Sequence, residues 1–296
     1  VRPFAPGRRL APGYEVIVHL ARSNVLDVYD AWSHERACRC VVKLLRPDRR
    51  GDERAALALQ REGRLLQRLS HPHLVRGYET LSEPLPAVVM ETLRGETVAH
   101  LVNRRARRLS ATELGHLGVH LCSAISYLHG HGVLHLDLKP SNVIAEAGRA
   151  KIIDLSLARP AGSMRAGIGT WCYMAPEQAR GGEIGSAADA WGIAGVLYEA
   201  ATGAAPFGDE DDEDAEFPSL ERSPHPVARD RRLPVALAAA IDGGLRAEPS
   251  ERPSVARLGA DCEQAAGLPP AERRFAARLR ARVGGDREQR AGRRGG

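Results

Sequence analysis

From Tyr14 to about Val89 the chain consists largely of short runs of β-branched, aromatic and apolar residues (YEVIVHL, LDVYDAW, CRCVVKLL, AVVME), broken once by a helical pattern over residues 52–69. Runs of that length read as strands of one small sheet. In the helical break, Leu57, Leu65, Leu66 and Leu69 supply apolar positions three and four apart, and Ser70-His71-Pro72 stops it. After Gly95 the texture changes: residues 111–129, 186–202, 234–246 and 253–267 read as helices rich in Ala and Leu. A chain that places its strands first and its helices afterwards has to segregate them. The expected architecture is therefore α+β, with a small β-rich lobe carrying one helix and a larger, mainly helical lobe, joined near Glu91 to Gly95.

A length of 296 residues is at the upper edge of what one core serves. With 43% hydrophobic and 27% charged residues, a mainly disordered or fibrous chain is excluded. The longest apolar stretch, residues 191–207, is interrupted by Glu199 and diluted by small residues, so no membrane span is expected. The basic start (VRPFAPGRRLAPG) is followed by no apolar block, and cytoplasmic residence is the expectation. Five cysteines without CxxC pairs suggest reduced thiols, and Cys38-x-Cys40 sits inside a strand-like run. His116 and His120 lie four apart on a helix, but no third ligand accompanies them.

Of the 42 basic Lys and Arg residues only Lys43, Lys139 and Lys151 are lysine, and asparagine occurs only at Asn24, Asn103 and Asn142. In so arginine-rich a chain, a lysine marks a place where a compact ammonium does something guanidinium cannot. Lys139 and Asn142 lie three apart just after Asp137, in HLDLKPSN, between a helix ending at His129 and a strand-like Val143-Ile144. A loop between regular elements is where catalytic groups concentrate. A carboxylate, an ammonium and a carboxamide there suit accepting a proton, neutralising phosphate and holding a metal. Nine residues beyond Asn142, KIID delivers a second carboxylate, Asp154.

These segments resemble the protein-kinase superfamily, in particular the bacterial eukaryotic-type Ser/Thr kinases. HLDLKPSN resembles the catalytic loop, IIDLSLAR the metal-binding segment, and GTWCYMAPE the end of an activation segment. CVVKLL resembles the strand bearing the phosphate-binding Lys43, and LQREGRLLQRLSHPHLV the helix whose Glu62 pairs with it. VVMETLRG resembles the hinge, the stretch from about Asp189 the buried central helix, and EPSERPS brings Arg252, the usual partner of Glu177. The resemblance covers about residues 13–267.

The resemblance implies a bilobal kinase fold using ATP with Mg2+ or Mn2+ and a protein substrate with a Ser or Thr hydroxyl. It implies that Lys43, positioned by Glu62, meets the phosphates, and that Asp154 and Asn142 hold the metal. Asp137 is implied as the base, Lys139 as the cation facing the transferred phosphoryl group, and Thr170 as a hydrogen-bond partner of both. Ala21, Val28, Val41, Met90, Glu91, Leu93 and Ile144 are the further residues implied to bind the nucleotide. On this reading residues 1–12 are an extension, 13–267 the domain (13–91 and 95–267 its lobes) and 268–296 an Arg-rich flexible tail.

The sequence departs from the family pattern at named places. Taking Val28-Tyr29-Asp30-Ala31 as the end of the glycine-rich loop, its three glycine positions fall on Ala21, Ser23 and Leu26. Val41 stands where Ala is usual, Leu136 replaces the Arg before Asp137, and Asp154 is followed by Leu155-Ser156. The loss of the glycines motivates an alternative, a pseudokinase acting as a binding or regulatory module. A kinase-like small-molecule phosphotransferase is a third reading, against which GTWCYMAPE speaks as a protein-substrate platform. DEDDEDAE, residues 209–216, reads as an exposed acidic loop. In the tail, Phe275, Leu279 and Val283 recur every four residues among arginines, which would suit an acidic partner; nucleic acid is not expected.

Overall fold

The computed structural model describes residues 2–104, 108–208 and 216–268. Residues 209–215 of the acidic stretch and the Arg-rich tail with Phe275, Leu279 and Val283 lie outside the described residues.

The first lobe is an antiparallel sheet of β1 (Arg9–Ala11), β2 (Tyr14–Arg22), β3 (Leu26–Ser33), β4 (Cys38–Leu45), β5 (Gly77–Leu81) and β6 (Ala87–Glu91), in the order β1-β2-β3-β4-β6-β5. The stretch before Gly13, expected as an extension, thus supplies a strand. Ala11 pairs with Tyr14 across Pro12-Gly13, and Gly13 takes φ 82°, the conformation that the third position of a type II turn requires. Strand periodicity divides β4: Cys40, Val42 and Leu44 enter an apolar core with Tyr14, Val16, Tyr29, Ala31 and Val89, while Lys43 points to the opposite face.

Helix α1 (Glu53–Arg68) starts at Asp52, whose carboxylate accepts the Ala55 N–H. Its buried face is Leu59, Glu62, Gly63 and Leu66, so the 3.6-residue period places a carboxylate within an apolar stripe.

The second lobe begins with β7 (Glu96–Thr97) and α2 (Val98–Arg104), followed by α3 (Ala111–Gly130), opened by a Ser110/Glu113 capping box. Next come β8 (Val143–Glu146) and β9 (Arg149–Ile152), which form a three-stranded sheet with β7, and then β10 (Gly162–Met164), α4 (Pro176–Arg180) and β11 (Gly182–Ile184). The lobe closes with α5 (Ala187–Thr202), α6 (Pro218–Glu221), α7 (Val227–Asp230), α8 (Val235–Gly244) and α9 (Val255–Ala265). From Ala188 to Thr202 every residue of α5 is buried, which explains the long apolar run: it is the central helix around which α2, α3, α7, α8 and α9 pack. Among the described residues no helix is long and apolar enough to cross a membrane.

Small residues set how close α3 and α9 come. A Cβ on Gly115 would lie 2.5 Å from the Ala266 nitrogen, and one on Gly118 would lie 2.3 Å from the Cys262 sulfur. A methyl group at Gly115 meets backbone that cannot rotate aside. Gly115→Ala is expected to destabilise the chain by roughly 1–3 kcal/mol, read as a lowered urea midpoint with an unchanged slope.

Candidate active site

Lys43 is 8% exposed and its ammonium lies 2.9 Å from both carboxylate oxygens of Glu62 and 3.0 Å from Oδ2 of Asp154. Glu62 also accepts the Leu155 N–H at 3.3 Å, and Asp154 Oδ1 accepts that of Ser156 at 2.7 Å. Thus α1 is locked against the segment that follows β9. One cation serves two buried carboxylates, and the two respond oppositely. Burial pushes Glu62 up to about 7, against the pull of Lys43. Burial also acts on Asp154, but there Lys43 and the Ser156 hydrogen bonds prevail and hold the carboxyl well below its usual range. Burial alone would depress Lys43; the two carboxylates overrule it and raise its pKa.

The second cluster stands on the loop after α3. Asp137 Oδ1 accepts the Thr170 hydroxyl at 2.6 Å and the Thr170 N–H at 3.1 Å. Lys139 donates to the same hydroxyl at 2.7 Å and sits 3.7 Å from Asp137 Oδ2. Asn142 donates to the Asp137 carbonyl at 2.9 Å and to its carboxylate at 3.2 Å, which leaves its own side-chain oxygen as a ligand donor. The two clusters adjoin because Val143 pairs with Ile152 and the Ile153 N–H bonds the Asn142 carbonyl at 3.0 Å, so Asn142 and Asp154 flank one strand pair.

Leu136 is held at φ 68°, in the left-handed region that a non-glycine side chain avoids. The Asp189 carboxylate compensates by accepting the N–H groups of His135 at 2.9 Å and Leu136 at 2.8 Å, and it takes His129 Nε2 at 2.7 Å. Gln178 of α4 donates to the carbonyls of Leu136 at 2.9 Å and Ile168 at 3.0 Å, and β10 pairs with β11. Leu134 and Arg159 exchange backbone bonds of 2.7 and 3.0 Å. The segment between Asp154 and Glu177 is therefore tied down by main-chain contacts at both ends. At its end Arg252 clasps Glu177 at 2.6 and 2.8 Å, with its guanidinium 4.8 Å over the Trp191 ring.

The apolar candidates surround the same cleft. Val28 pairs with Lys43 and Ala21 with Val28, so all three share the face over the site; Val41, two residues before Lys43, joins them. Met90 is buried opposite Val41, while Ile144, partly buried, pairs with Lys151 in the second lobe. Leu93 packs partly buried at the lobe junction. The Glu91 side chain turns away behind that junction, where it takes the Arg76 N–H at 2.9 Å and pairs with Lys151, so only its backbone is available to the cleft.

Three named residues have partners that the sequence does not reveal. Asp189 is an acid in the first turn of a helix whose only other charged residue is Glu199, a detectable signal. Lys151 was flagged by rarity, but its partner Glu91 is 60 residues away. Ser23 closes the hairpin between β2 and β3: its Oγ accepts the N–H of Leu26 at 3.0 Å and of Val25 at 3.4 Å. His71, His73, His120, His129 and His131 have local partners, while the buried Nε2 of His135 has no hydrogen-bond partner among the described residues. His120 stacks on His73 at 4.1 Å and accepts the Ala150 N–H at 3.2 Å, and burial drives it down to about 4. Among the described residues no group of three or more His, Cys, Asp and Glu could hold a metal ion.

Comparison with known proteins gives the same family from several directions. The model of the protein kinase domain matches residues 14–261. The probable serine/threonine-protein kinase SCO3848 of Streptomyces coelicolor is 31% identical over 213 residues, covering 68% of this chain and 32% of that protein. Serine/threonine-protein kinase PknB of Mycobacterium leprae is 31% identical over 77% of this chain and 39% of its own length. The chain therefore spans well under half the length of these curated relatives. Among solved structures, the Mycobacterium tuberculosis PknI kinase domain superposes with a TM-score of 0.70 at 23% identity, covering 89% of this chain and 100% of that one, a likeness of fold. With a family match over residues 14–261 and relatives at 31% identity, this chain belongs to the protein kinase family, and its homologues are bacterial serine/threonine-protein kinases.

Proposed function

We propose that this chain transfers the γ-phosphoryl group of ATP to a Ser or Thr hydroxyl of a protein substrate, with residues 13–267 as the catalytic domain. The observation that carries this reading is the adjacency of the Asp137–Thr170–Lys139 cluster to Asn142 and to the Lys43–Glu62–Asp154 triad. The donor set suits the cofactor: a carboxylate held ionised and a carboxamide oxygen are the hard ligands that Mg2+ or Mn2+ takes. Bound there by Asp154 and Asn142, the metal would neutralise phosphate charge.

The chain's own residues have separable tasks. Val28, Val41, Met90 and Ile144 give a purine an apolar slot, and the backbone of Glu91 and Leu93 gives it polar edges. Lys43, whose place is fixed by Glu62, meets the phosphates. Asp137 orients the incoming hydroxyl and takes its proton, and Thr170 fixes the rotamer of that carboxylate. Lys139 places a positive charge where charge builds during transfer. A binding module without transfer is the second reading, favoured by the glycine-free hairpin closed by Ser23.

Incubation with Mg-ATP and a generic basic acceptor protein is expected to add phosphoryl mass in intact-mass spectra, and Asp137→Asn is expected to cut the rate by about 10^2–10^4-fold. No mass increment, together with no nucleotide-dependent rise in Tm, would instead support the binding module.

A pH test addresses Glu62. Its folded pKa of about 7 lies above the ordinary glutamate value of 4.5, so between those values the folded chain holds a proton that the unfolded chain has lost. Stability from this group is present below about pH 4.5 and is lost as pH rises toward 7. Denaturant unfolding at several pH values should show Glu62→Gln gaining on the wild type across that window; parallel curves would refute the assignment.

A further inference from the structure

The hairpin joining β2 to β3 runs alongside the part of β4 that carries Lys43, since Val28 pairs with Lys43 and Ala21 with Val28, two residues short of the turn. In a loop that cradles phosphate, backbone N–H groups must point outward unpaired. Here those of Ser23, Val25 and Leu26 point inward. Ser23 N–H bonds the Leu26 carbonyl at 2.8 Å, while Ser23 Oγ accepts from Leu26 at 3.0 Å and from Val25 at 3.4 Å. The carbonyls are taken as well: Arg46 donates its guanidinium to those of Ser23 at 3.1 Å and Asn24 at 3.2 Å, and its backbone N–H to that of Val25 at 2.9 Å. The Arg46 charge is matched by Asp48, which it contacts at 3.0 and 2.6 Å. At the hairpin's base Arg22 clasps the buried Asp27 at 2.7 and 2.9 Å.

Resting on the proposed nucleotide site, we infer that Ser23 is a positioning residue that closes this turn and withholds the Val25 and Leu26 amides from a bound triphosphate, leaving Lys43 and the metal held by Asp154 and Asn142 to carry the phosphates. Without metal, the triphosphate then meets an ammonium already shared by two carboxylates. Its phosphates gain little there. Opening the turn should change that, because a charge-assisted N–H contact in the cleft is worth about tenfold in affinity.

The test is calorimetric titration of ATP and adenosine, each with Mg2+ and with excess EDTA, into the wild type, Ser23→Gly and Ser23→Ala. Amide hydrogen exchange at Val25 and Leu26 is followed in the same samples. In EDTA the wild type is expected to bind ATP no tighter than adenosine, within about threefold, and both variants to bind ATP about tenfold tighter than adenosine with adenosine affinity unchanged. The Val25 and Leu26 amides should be slow to exchange in the free wild type and unaffected by Mg-ATP. In the variants they should exchange fast when free and slow when ATP is bound. The inference is overturned if the wild type already prefers ATP tenfold in EDTA, if its Val25 and Leu26 amides gain protection from Mg-ATP, or if both variants keep the wild-type ratio. Binding of ATP by the variants alone supports it. Absence of binding by all three proteins, with Mg2+ present, overturns the nucleotide reading and this inference together, a pattern that no failure of the turn alone produces.

Discussion

The carboxylate of Asp189 is buried at the first turn of α5 and accepts from two successive main-chain N–H groups and from His129. A buried carboxylate is costly unless its oxygens are satisfied, and here hydrogen bonds and the positive end of a helix satisfy them. In return it fixes His135 and Leu136 in a conformation the chain would not choose. Everything downstream inherits that placement, since Asp137, Lys139 and Asn142 follow within seven residues of His135. The central helix thus sets the register of the loop as well as filling the core.

The paired clusters divide the electrostatic problem. Around Lys43 the charge is deliberately unbalanced, with two carboxylates and one ammonium, and the imbalance falls on Glu62 because Asp154 is also held by Ser156. Around Asp137 the carboxylate is shared among a hydroxyl, two N–H donors and a nearby ammonium. The first cluster thus keeps a surplus of negative charge around one cation, and the second spreads a single carboxylate over several donors.

Much of this was legible in the sequence because its determinants are local. The strands around Lys43, the helix bearing Glu62 and the loop HLDLKPSN each carry their own periodicity or turn chemistry, and the scarcity of lysine and asparagine drew attention to Lys43, Lys139 and Asn142. What stayed hidden depends on partners far along the chain. The Glu91–Lys151 pair and the bonds from Asp189 to His135 and Leu136 join positions more than fifty residues apart. The strand Gly77–Leu81 was missed because it is a half-buried edge with polar residues mixed in, and Arg9–Ala11 because three residues show no period. Ser23 was seen only as a missing glycine; that its hydroxyl would take up the turn's amides is a property of the folded hairpin.

The scarcity of lysine has a chemical consequence. Every lysine side chain is engaged: Lys43 by Glu62 and Asp154, Lys139 by Asp137 and Thr170, and Lys151 by Glu91 behind the lobe junction. The surface that most proteins cover with ammonium groups is here covered with guanidinium. An amine-directed reagent consequently finds no decoy lysine on this domain. Acylation at any lysine strikes either the cleft or the brace behind it, so one chemistry would report on the state of the whole site.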